Sequence, residues 1–152
     1  MTEVLIGPAR REELPQIVAL LEEDGLPQDG LENHLPTTLV ASLEGRVVGS
    51  AALELYGPAA LLRYVAVRRI SAVPGWAGGW AGRLTEAALE LSRNLAVAEA
   101  YLLTETADLF FPRFGFRPIP RSEVPLGVRR SVEFTLACPA SARDMVLDLR
   151  AM

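Results

Sequence analysis

The sequence LLRYVAV at 61–67 is followed by VPGWAGGWAG at 73–82 and by RLTEAALELSRNL at 83–95. The first segment is apolar except for Arg63 and predicts a buried strand. The second has four glycines, whose backbone amides can approach a ligand closely. The third has leucines and alanines at helical spacing. A strand, a glycine loop and a helix N-terminus in this order make a ready binding site for an anion.

Length and composition limit the number of domains and the classes of partner and metal site that this chain can have. Its 152 residues, half of them hydrophobic, suit one domain, 1–152. The net charge of −4 gives no electrostatic support for a nucleic-acid partner. The one cysteine, Cys138, excludes an internal disulfide and favours a reducing compartment. His34 is the sole histidine, which excludes a multi-histidine metal site, and we expect no metal.

The hydropathy pattern gives no sign of a membrane protein. No apolar run approaches the ~20 residues that a membrane span needs. The N-terminus lacks a basic region followed by a long apolar core, so it does not match a signal peptide. We therefore expect a soluble, cytoplasmic protein without a membrane partner.

The elements on either side of the 61–67 strand alternate in type. Before it, the pattern predicts a strand at 4–6, a helix at 14–21 with Pro15 in its first turn, and a hairpin of strands 39–43 and 47–56. After it, the pattern predicts a helix that ends at Leu95, a strand at 100–104, a short helix at 106–114 and a strand near 117–119. Ser122 is predicted to cap one or two helical turns that end near Val128, and strands at 132–136 and 145–149 close the chain.

This order determines the predicted fold class. A central strand–helix–strand unit requires parallel pairing, whereas the hairpin requires antiparallel pairing. A mixed sheet with helices on both faces satisfies both requirements. We predict an α/β (α+β) fold with a mostly antiparallel sheet of six to seven strands.

Three fragments carry a resemblance to a known family. LRYVAV at 62–67 looks like the cofactor strand of the GNAT acetyltransferases, RLTEAAL at 83–89 like the helix after their pyrophosphate loop, and FPRFGF at 111–116 like their closing signature. The resemblance covers nearly the whole chain. It implies a GNAT fold, acetyl-CoA as cosubstrate and N-acetylation of an amine.

A narrower resemblance concerns the acceptor. GLP at 25–27, HLP at 34–36, YLLTET at 101–106 and CPASA at 138–142 resemble a GNAT subgroup encoded in arsenic-resistance operons. The Leu-Thr, Phe-Phe and Gly-Phe pairs also resemble the acetyltransferase domain of N-acetylglutamate synthases. Both comparisons imply a small-molecule amine, on an amino acid or an amino-acid-like compound, rather than a protein substrate.

The resemblance also implies which residues contact the cosubstrate. They are strand and loop residues: Val65, Ala66, Val67, Gly78, Gly79, Trp80, Ala81, Gly82 and Arg83. The loop differs from the family pattern because it lacks the internal arginine and follows extra residues at 68–72; Arg68, Arg69 or Arg83 would restore the charge. Phe111 stands where many GNAT enzymes have a tyrosine that protonates the departing thiolate. These departures support a second hypothesis, a non-catalytic GNAT-fold module for ligand binding or assembly.

Two residues of the cofactor strand have competing interpretations. A bulge near Val65 would point a backbone amide at the thioester oxygen, whereas the alternative is an ordinary core strand. Arg63 either binds a substrate carboxylate, forms an ion pair with Glu54 on the neighbouring strand, or lies at an exposed edge.

Two carboxylates are candidates for the general base. Glu54 is either that base, directly or through water, or a solvent-facing side chain, which we favour. Glu105 either contacts or deprotonates the amine, or lies in the first turn of the next helix. Thr104, at the end of the strand before Glu105, is assigned with Arg63 to substrate binding.

The remaining chemically distinctive residues have weaker assignments. Trp76 and Trp80 either cover the cosubstrate, fill a subunit contact in a homodimer, or lie on the surface. We interpret His34 as a loop residue rather than a base, and Cys138 as a buried apolar residue rather than a nucleophile.

Overall fold

The computed structural model describes residues 4–23, 25, 30–67, 80–104, 111–130 and 143–151, with the backbone alone at 67, 80, 81, 104 and 151. The strands are β1 Val4–Pro8, β2 Thr38–Leu43, β3 Arg46–Tyr56, β4 Ala59–Val67, β5 Glu99–Thr104, β6 Arg117–Pro118 and β7 Arg143–Asp148. The α-helices are α1 Leu14–Glu23, α2 Trp80–Asn94 and α3 Leu126–Arg129. Short 3₁₀ helices span Arg11–Glu13, Leu31–Thr37, Phe111–Phe114, Arg121–Glu123 and Leu149–Ala151.

The seven strands among the described residues form one sheet in the order β1-β2-β3-β4-β5-β7-β6. Every neighbouring pair is antiparallel except β4 and β5, which are parallel. The crossover between these two strands contains α2, as a parallel connection requires. The predicted mixed, mostly antiparallel sheet is therefore confirmed.

The β2–β3 hairpin shows why its turn could be recognised from sequence. Glu44 and Gly45 have φ angles of 51° and 80°. Two consecutive residues with positive φ form the turn whose twist matches that of paired strands. The hairpin is also tied to α1, because the backbone N–H of Val47 donates to Oε1 of Gln16 at 3.0 Å.

Helices cover both faces of the sheet, as predicted. On one face, Leu84, Ala88 and Leu89 of α2 pack in a cluster with alternate residues of the central strands, including Leu53 and Leu62. On the other face, α1 and the 3₁₀ helix Leu31–Thr37 pack over the residues between them, such as Ala52. Further along this second face, Val124 and Val128 cover Leu61 and Tyr101. Among the described residues, no helix is long and apolar enough to cross a membrane.

Some predicted boundaries were wrong. Helix α2 ends at Asn94, and Leu95 is 44% exposed because Ala96 adopts φ 61° and the N–H of Val97 turns back to the carbonyl of Ser92. Ser122 is not a cap: it lies inside the 3₁₀ turn, which Pro120 precedes.

Two other predicted elements fall partly or wholly outside the described residues. The strand at 132–136 lies outside them entirely. Of the predicted helix at 106–114, the structure describes the 3₁₀ turn Phe111–Phe114.

Candidate active site

A gap opens in the middle of the sheet, between the two parallel strands. Strands β4 and β5 pair only where Ala59–Leu61 lies beside Glu99–Tyr101. Beyond these residues β4 continues to pair with β3, and β5 with β7. The C-terminal halves of β4 and β5 are therefore separated, and the edge of each that faces the gap has no pairing with the other.

The N-terminus of α2 lies at this same end of the sheet. A helix that connects two parallel strands starts where the first strand finishes, here beyond Val67. Of the loop residues predicted to contact the cosubstrate, Gly78 and Gly79 lie outside the described residues, whereas Trp80 and Ala81 begin α2. The first turns of a helix present free N–H groups and partial positive charge, which suit an anion.

The next two predicted residues occupy the first turns of α2. A Cβ on Gly82 would lie 3.6 Å from Cζ of Phe114, so the helix passes closely over that ring. Arg83 extends toward β1, with its Nη2 3.5 Å from the carbonyl of Val4.

Strand β4 contains the bulge that was expected near Val65. Ala52 of β3 lies opposite Arg63, and Ser50 lies opposite Ala66. Between these two pairs β4 has one residue more than β3, which is a β-bulge. Tyr64 has φ 57°, and Oγ of Ser50 donates to its carbonyl. The bulge turns Arg63 and Tyr64, which are consecutive in sequence, toward the same carboxylate.

That carboxylate is Glu54, which lies at the centre of a buried polar cluster. Arg63 Nη1 donates to Glu54 Oε2 at 2.6 Å, and the hydroxyl of Tyr56 donates to Oε1 at 2.6 Å. The hydroxyl of Tyr64 lies 3.5 Å from Oε2, and its ring stacks under the Arg63 guanidinium at 4.2 Å. Buried charges are tolerated when they are paired and hydrogen-bonded in this way.

The favoured expectation for Glu54 was wrong, because its side chain is 1% exposed and does not face solvent. Of the alternatives for Arg63, the exposed edge is excluded because the residue is buried. The 3₁₀ helix Leu31–Thr37 covers this face of β3, which the alternation of β3 alone does not reveal. The interpretation of Arg63 as the ion-pair partner of Glu54 is the one that this geometry supports.

His34 is a fifth member of the cluster, and sequence reasoning missed it. Its Nε2 lies 3.5 Å from Glu54 Oε2, and its side chain is 28% exposed. The carbonyl of His34 accepts from Oγ1 of Thr38 at 2.8 Å, while the hydroxyl of Thr37 donates to the carbonyl of Leu53 in β3. A threonine four residues after a histidine is a local signal for such back-bonding, which fixes the backbone here.

Gly30, in the chain segment before His34, packs against the polar cluster. It has φ 82°, and a Cβ at this position would lie 3.5 Å from the Tyr64 hydroxyl and 3.9 Å from Glu54 Oε2. The segment 30–34 therefore passes directly over the polar groups of β3 and β4.

The other predicted site residues divide between the two sides of the gap. Val65, Ala66 and Val67 belong to the part of β4 beyond the last pairing with β5. Thr104 ends β5 on the opposite side, and Glu105 lies outside the described residues. Among the described residues, no group of three or more histidine, cysteine, aspartate or glutamate side chains is arranged to hold a metal.

Two aromatic residues near the gap are structural. Phe111 is buried and packs edge-to-face on Phe116, with ring centroids 5.9 Å apart. Tyr101 lies in the last pair of β4 and β5, opposite Leu61. Burial, followed by the charge and hydrogen bond of Glu99, raises the pKa of Tyr101 to about 12, so its phenol stays neutral at physiological pH.

Comparison with known proteins identifies the fold. No family model and no curated protein matches the sequence. N-acetylglutamate synthase from Neisseria gonorrhoeae, solved with coenzyme A and N-acetyl-glutamate, matches 97% of this chain with a TM-score of 0.79 and 23% identity. The chain spans only 35% of that protein.

Two further solved structures match over nearly their whole length. A Mycobacterium tuberculosis protein in complex with CoA has a TM-score of 0.77 at 24% identity, covering 95% of this chain and 98% of its own. An acetyltransferase of the GNAT family from Staphylococcus aureus Mu50 has a TM-score of 0.75 at 17% identity, covering 97% and 99%. The chain thus has the fold of the GNAT acetyltransferases.

Proposed function

We propose that the protein transfers an acetyl group from acetyl-CoA to the amine of a small molecule, an amino acid or an amino-acid-like compound. The observation that carries this proposal is the gap between β4 and β5. It has a bulged strand on one side, the α2 N-terminus at its open end, and a buried polar cluster on the sheet face opposite α2. These features match the needs of a thioester donor and a charged acceptor.

The residues around the gap fit coenzyme A. The edge of β4 at Val65, Ala66 and Val67 does not pair with β5, so its amides and carbonyls can bind the amide groups of the pantetheine arm as a neighbouring strand would. The pyrophosphate is assigned to the start of α2 and the preceding loop: Gly78, Gly79, Trp80, Ala81, Gly82 and Arg83. When bound, acetyl-CoA supplies the activated acetyl group.

The chain's own residues are assigned three tasks in the transfer. The Val65 amide at the bulge donates to the thioester oxygen and stabilises the charge that develops there. Glu105 receives the proton of the amine, or Glu54 does so through a bridging group, because the oxygens of Glu54 already accept from Tyr56 and Arg63. Thr104 is assigned to orient the acceptor, whereas Arg63, paired with Glu54, acts from within the buried cluster.

An amino-acid acceptor is supported by one of the solved structures. The N-acetylglutamate synthase with this fold was solved with N-acetyl-glutamate, an N-acetylated amino acid. An amino-acid-like arsenic compound as acceptor, with a function in resistance, is a finer part of this proposal and rests on sequence resemblance. A cytoplasmic location is a second finer part and rests on the single cysteine, which favours a reducing compartment.

Calorimetric titration with acetyl-CoA tests the donor site, with desulfo-CoA and pyrophosphate as controls. A micromolar Kd, about −8 kcal/mol, is expected. A thiol-release assay over amino acids and amino-acid-like arsenic compounds then identifies the acceptor. The absence of both binding heat and thermal stabilisation at millimolar acetyl-CoA would overturn the proposal.

One observation favours a second function, a non-catalytic module that binds a ligand or a partner. Phe111 is a core residue without a hydroxyl, so it cannot protonate the departing thiolate. Under this alternative, acetyl-CoA binds in the titration but no acceptor of the panel releases CoA.

A further inference from the structure

We propose that His34 is the general base that takes the proton from the acceptor amine, and that Glu54 is the positioning residue of its imidazole. This inference rests on the proposed acetyl transfer and names the group that connects Glu54 to the substrate. It assigns a function to the one histidine of the chain.

The imidazole of His34 approaches Glu54 with one of its two nitrogens. Nε2 lies 3.5 Å from Glu54 Oε2, within ion-pair distance. The ring has no other polar contact within the part of the chain that the structure describes. With Nε2 on the side of the carboxylate, Nδ1 is the nitrogen assigned to the amine, and its lone pair is the one that a base needs. The Thr38 hydroxyl on the His34 carbonyl and the Thr37 hydroxyl on the Leu53 carbonyl hold the backbone in place.

Glu54 itself is poorly placed to meet the amine. Oε1 accepts from Tyr56, Oε2 accepts from Arg63, and the side chain is 1% exposed. A substrate ammonium would have to displace one of these buried partners. His34 is far more accessible, so a proton that it receives can pass on to water.

The location of His34 relative to the gap suits an attack from the acceptor side. Glu54, its neighbour, also contacts Arg63 and Tyr64, which immediately precede Val65 in β4. The cluster lies on the sheet face opposite α2. With the donor pyrophosphate at the α2 N-terminus, the amine would reach the thioester from the other face, where His34 is.

The charges around His34 accommodate an imidazolium. Glu54 on β3 and Arg63 on β4 cancel, and on its own segment the exposed Glu32 pairs with Arg11 at 3.8 Å. Protonation of His34 therefore adds one positive charge 3.5 Å from a carboxylate.

The transfer balances without a further reactant. His34 Nδ1 removes one proton from the acceptor ammonium, and the freed lone pair of the nitrogen forms the new bond to the acetyl carbon. The electron pair of the carbon–sulfur bond leaves with the sulfur. A second proton from the nitrogen ends on the thiolate, and His34 returns its proton to water.

The kinetic test compares His34→Gln and His34→Ala with Glu32→Gln, a matched control in the same 3₁₀ helix. We expect kcat/KM to fall by about 10²–10³-fold in both His34 variants and to stay unchanged in the control. The acid limb of the pH profile should disappear in His34→Gln, and added imidazole should restore part of the activity of His34→Ala. Wild-type activity in His34→Gln would overturn the assignment.

A second readout does not depend on turnover. Because the chain has one histidine, its ring-proton NMR signals belong to His34 alone. Acetyl-CoA should shift these signals, whereas adenosine 3′,5′-bisphosphate, which lacks the pantetheine arm, should not. If acetyl-CoA binds but leaves the signals unmoved, His34 is not at the reacting centre. If acetyl-CoA does not bind at all, the proposed function fails first, and this inference fails with it.

Discussion

Arg63 and Glu54 form a buried ion pair between adjacent strands, with Arg63 Nη1 2.6 Å from Glu54 Oε2 and side-chain exposures of 0% and 1%. Glu54 is the cross-strand partner of Leu61, and Arg63 is two residues after Leu61. The side chains of Glu54 and Arg63 are therefore diagonal neighbours on one face of the sheet. A buried pair is weak evidence of net stabilisation, but each charge depends strongly on the other. The pair therefore fixes the geometry of the cluster.

Removing either partner should be costly. We expect Glu54→Gln and Arg63→Met each to lower the free energy of unfolding by about 3–5 kcal/mol, because each leaves the other charge buried and uncompensated. The double variant should lose much less than the sum. Urea unfolding of the four proteins gives this double-mutant cycle.

An exposed pair provides the control for this cycle. Arg11 and Glu32 lie 3.8 Å apart and are largely exposed, so Glu32→Gln should change the stability by less than about 1 kcal/mol. Additive losses in Glu54→Gln and Arg63→Met would show that the two charges do not depend on each other.

Sequence patterns predicted the framework well because they are local. The hairpin turn at 44–46, the apolar strand before the glycines and the amphipathic α2 are each encoded within a few residues. The alternation of side chains along β3 also predicted that Glu54 points to the other face of the sheet from Leu53 and Leu55. What covers Glu54 is set by the segment 30–37, some twenty residues earlier in the chain, and no local pattern reports it.

Which residues form the polar cluster around Glu54 could not be predicted from the alternation of side chains along the strands either. In a regular strand, Arg63 and Tyr64 would point to opposite faces. The bulge turns both toward Glu54, and His34 joins them through tertiary packing alone. The oligomeric state and the contacts of Trp76 are not tested by the structure and stay predictions.

Ser50 should matter for both stability and activity because it holds the bulge. Its hydroxyl is buried and donates to the Tyr64 carbonyl. We expect Ser50→Ala to lose about 1–3 kcal/mol of stability. On the proposed function, kcat should fall by about tenfold as the Val65 amide moves relative to the thioester.

Ser92→Ala is the matched control for this change. Ser92 is equally buried, but its hydroxyl bonds to the Ala88 carbonyl within α2, a back-bond that a helix does not need. Stability and kcat should therefore change little. Equal effects of the two substitutions would show that the bulge has no special role.

Tyr101 should make the fold sensitive to alkaline pH. Its pKa of about 12 in the folded protein lies above the ordinary value of 10.0, so the fold retains a proton that the unfolded chain releases. This contribution is fully present below about pH 10 and is lost as the pH rises toward about 12. Thermal unfolding should show a smaller fall in Tm over this range for Tyr101→Phe than for the wild type. Parallel Tm–pH curves would contradict the assignment.

Gly115, in the Gly-Phe pair of the closing signature, should tolerate alanine less well than Gly57. Both have positive φ, 100° and 64°, so alanine strains either backbone by about 1–2 kcal/mol. At Gly57 a Cβ meets nothing within 4 Å, whereas at Gly115 it would lie 2.9 Å from Cδ1 of Leu147 in β7. Displacing that core side chain should cost Gly115→Ala about 1–3 kcal/mol more than Gly57→Ala. Equal losses for the two variants in urea unfolding would show that Leu147 moves aside freely and that the glycine is required for its backbone conformation alone.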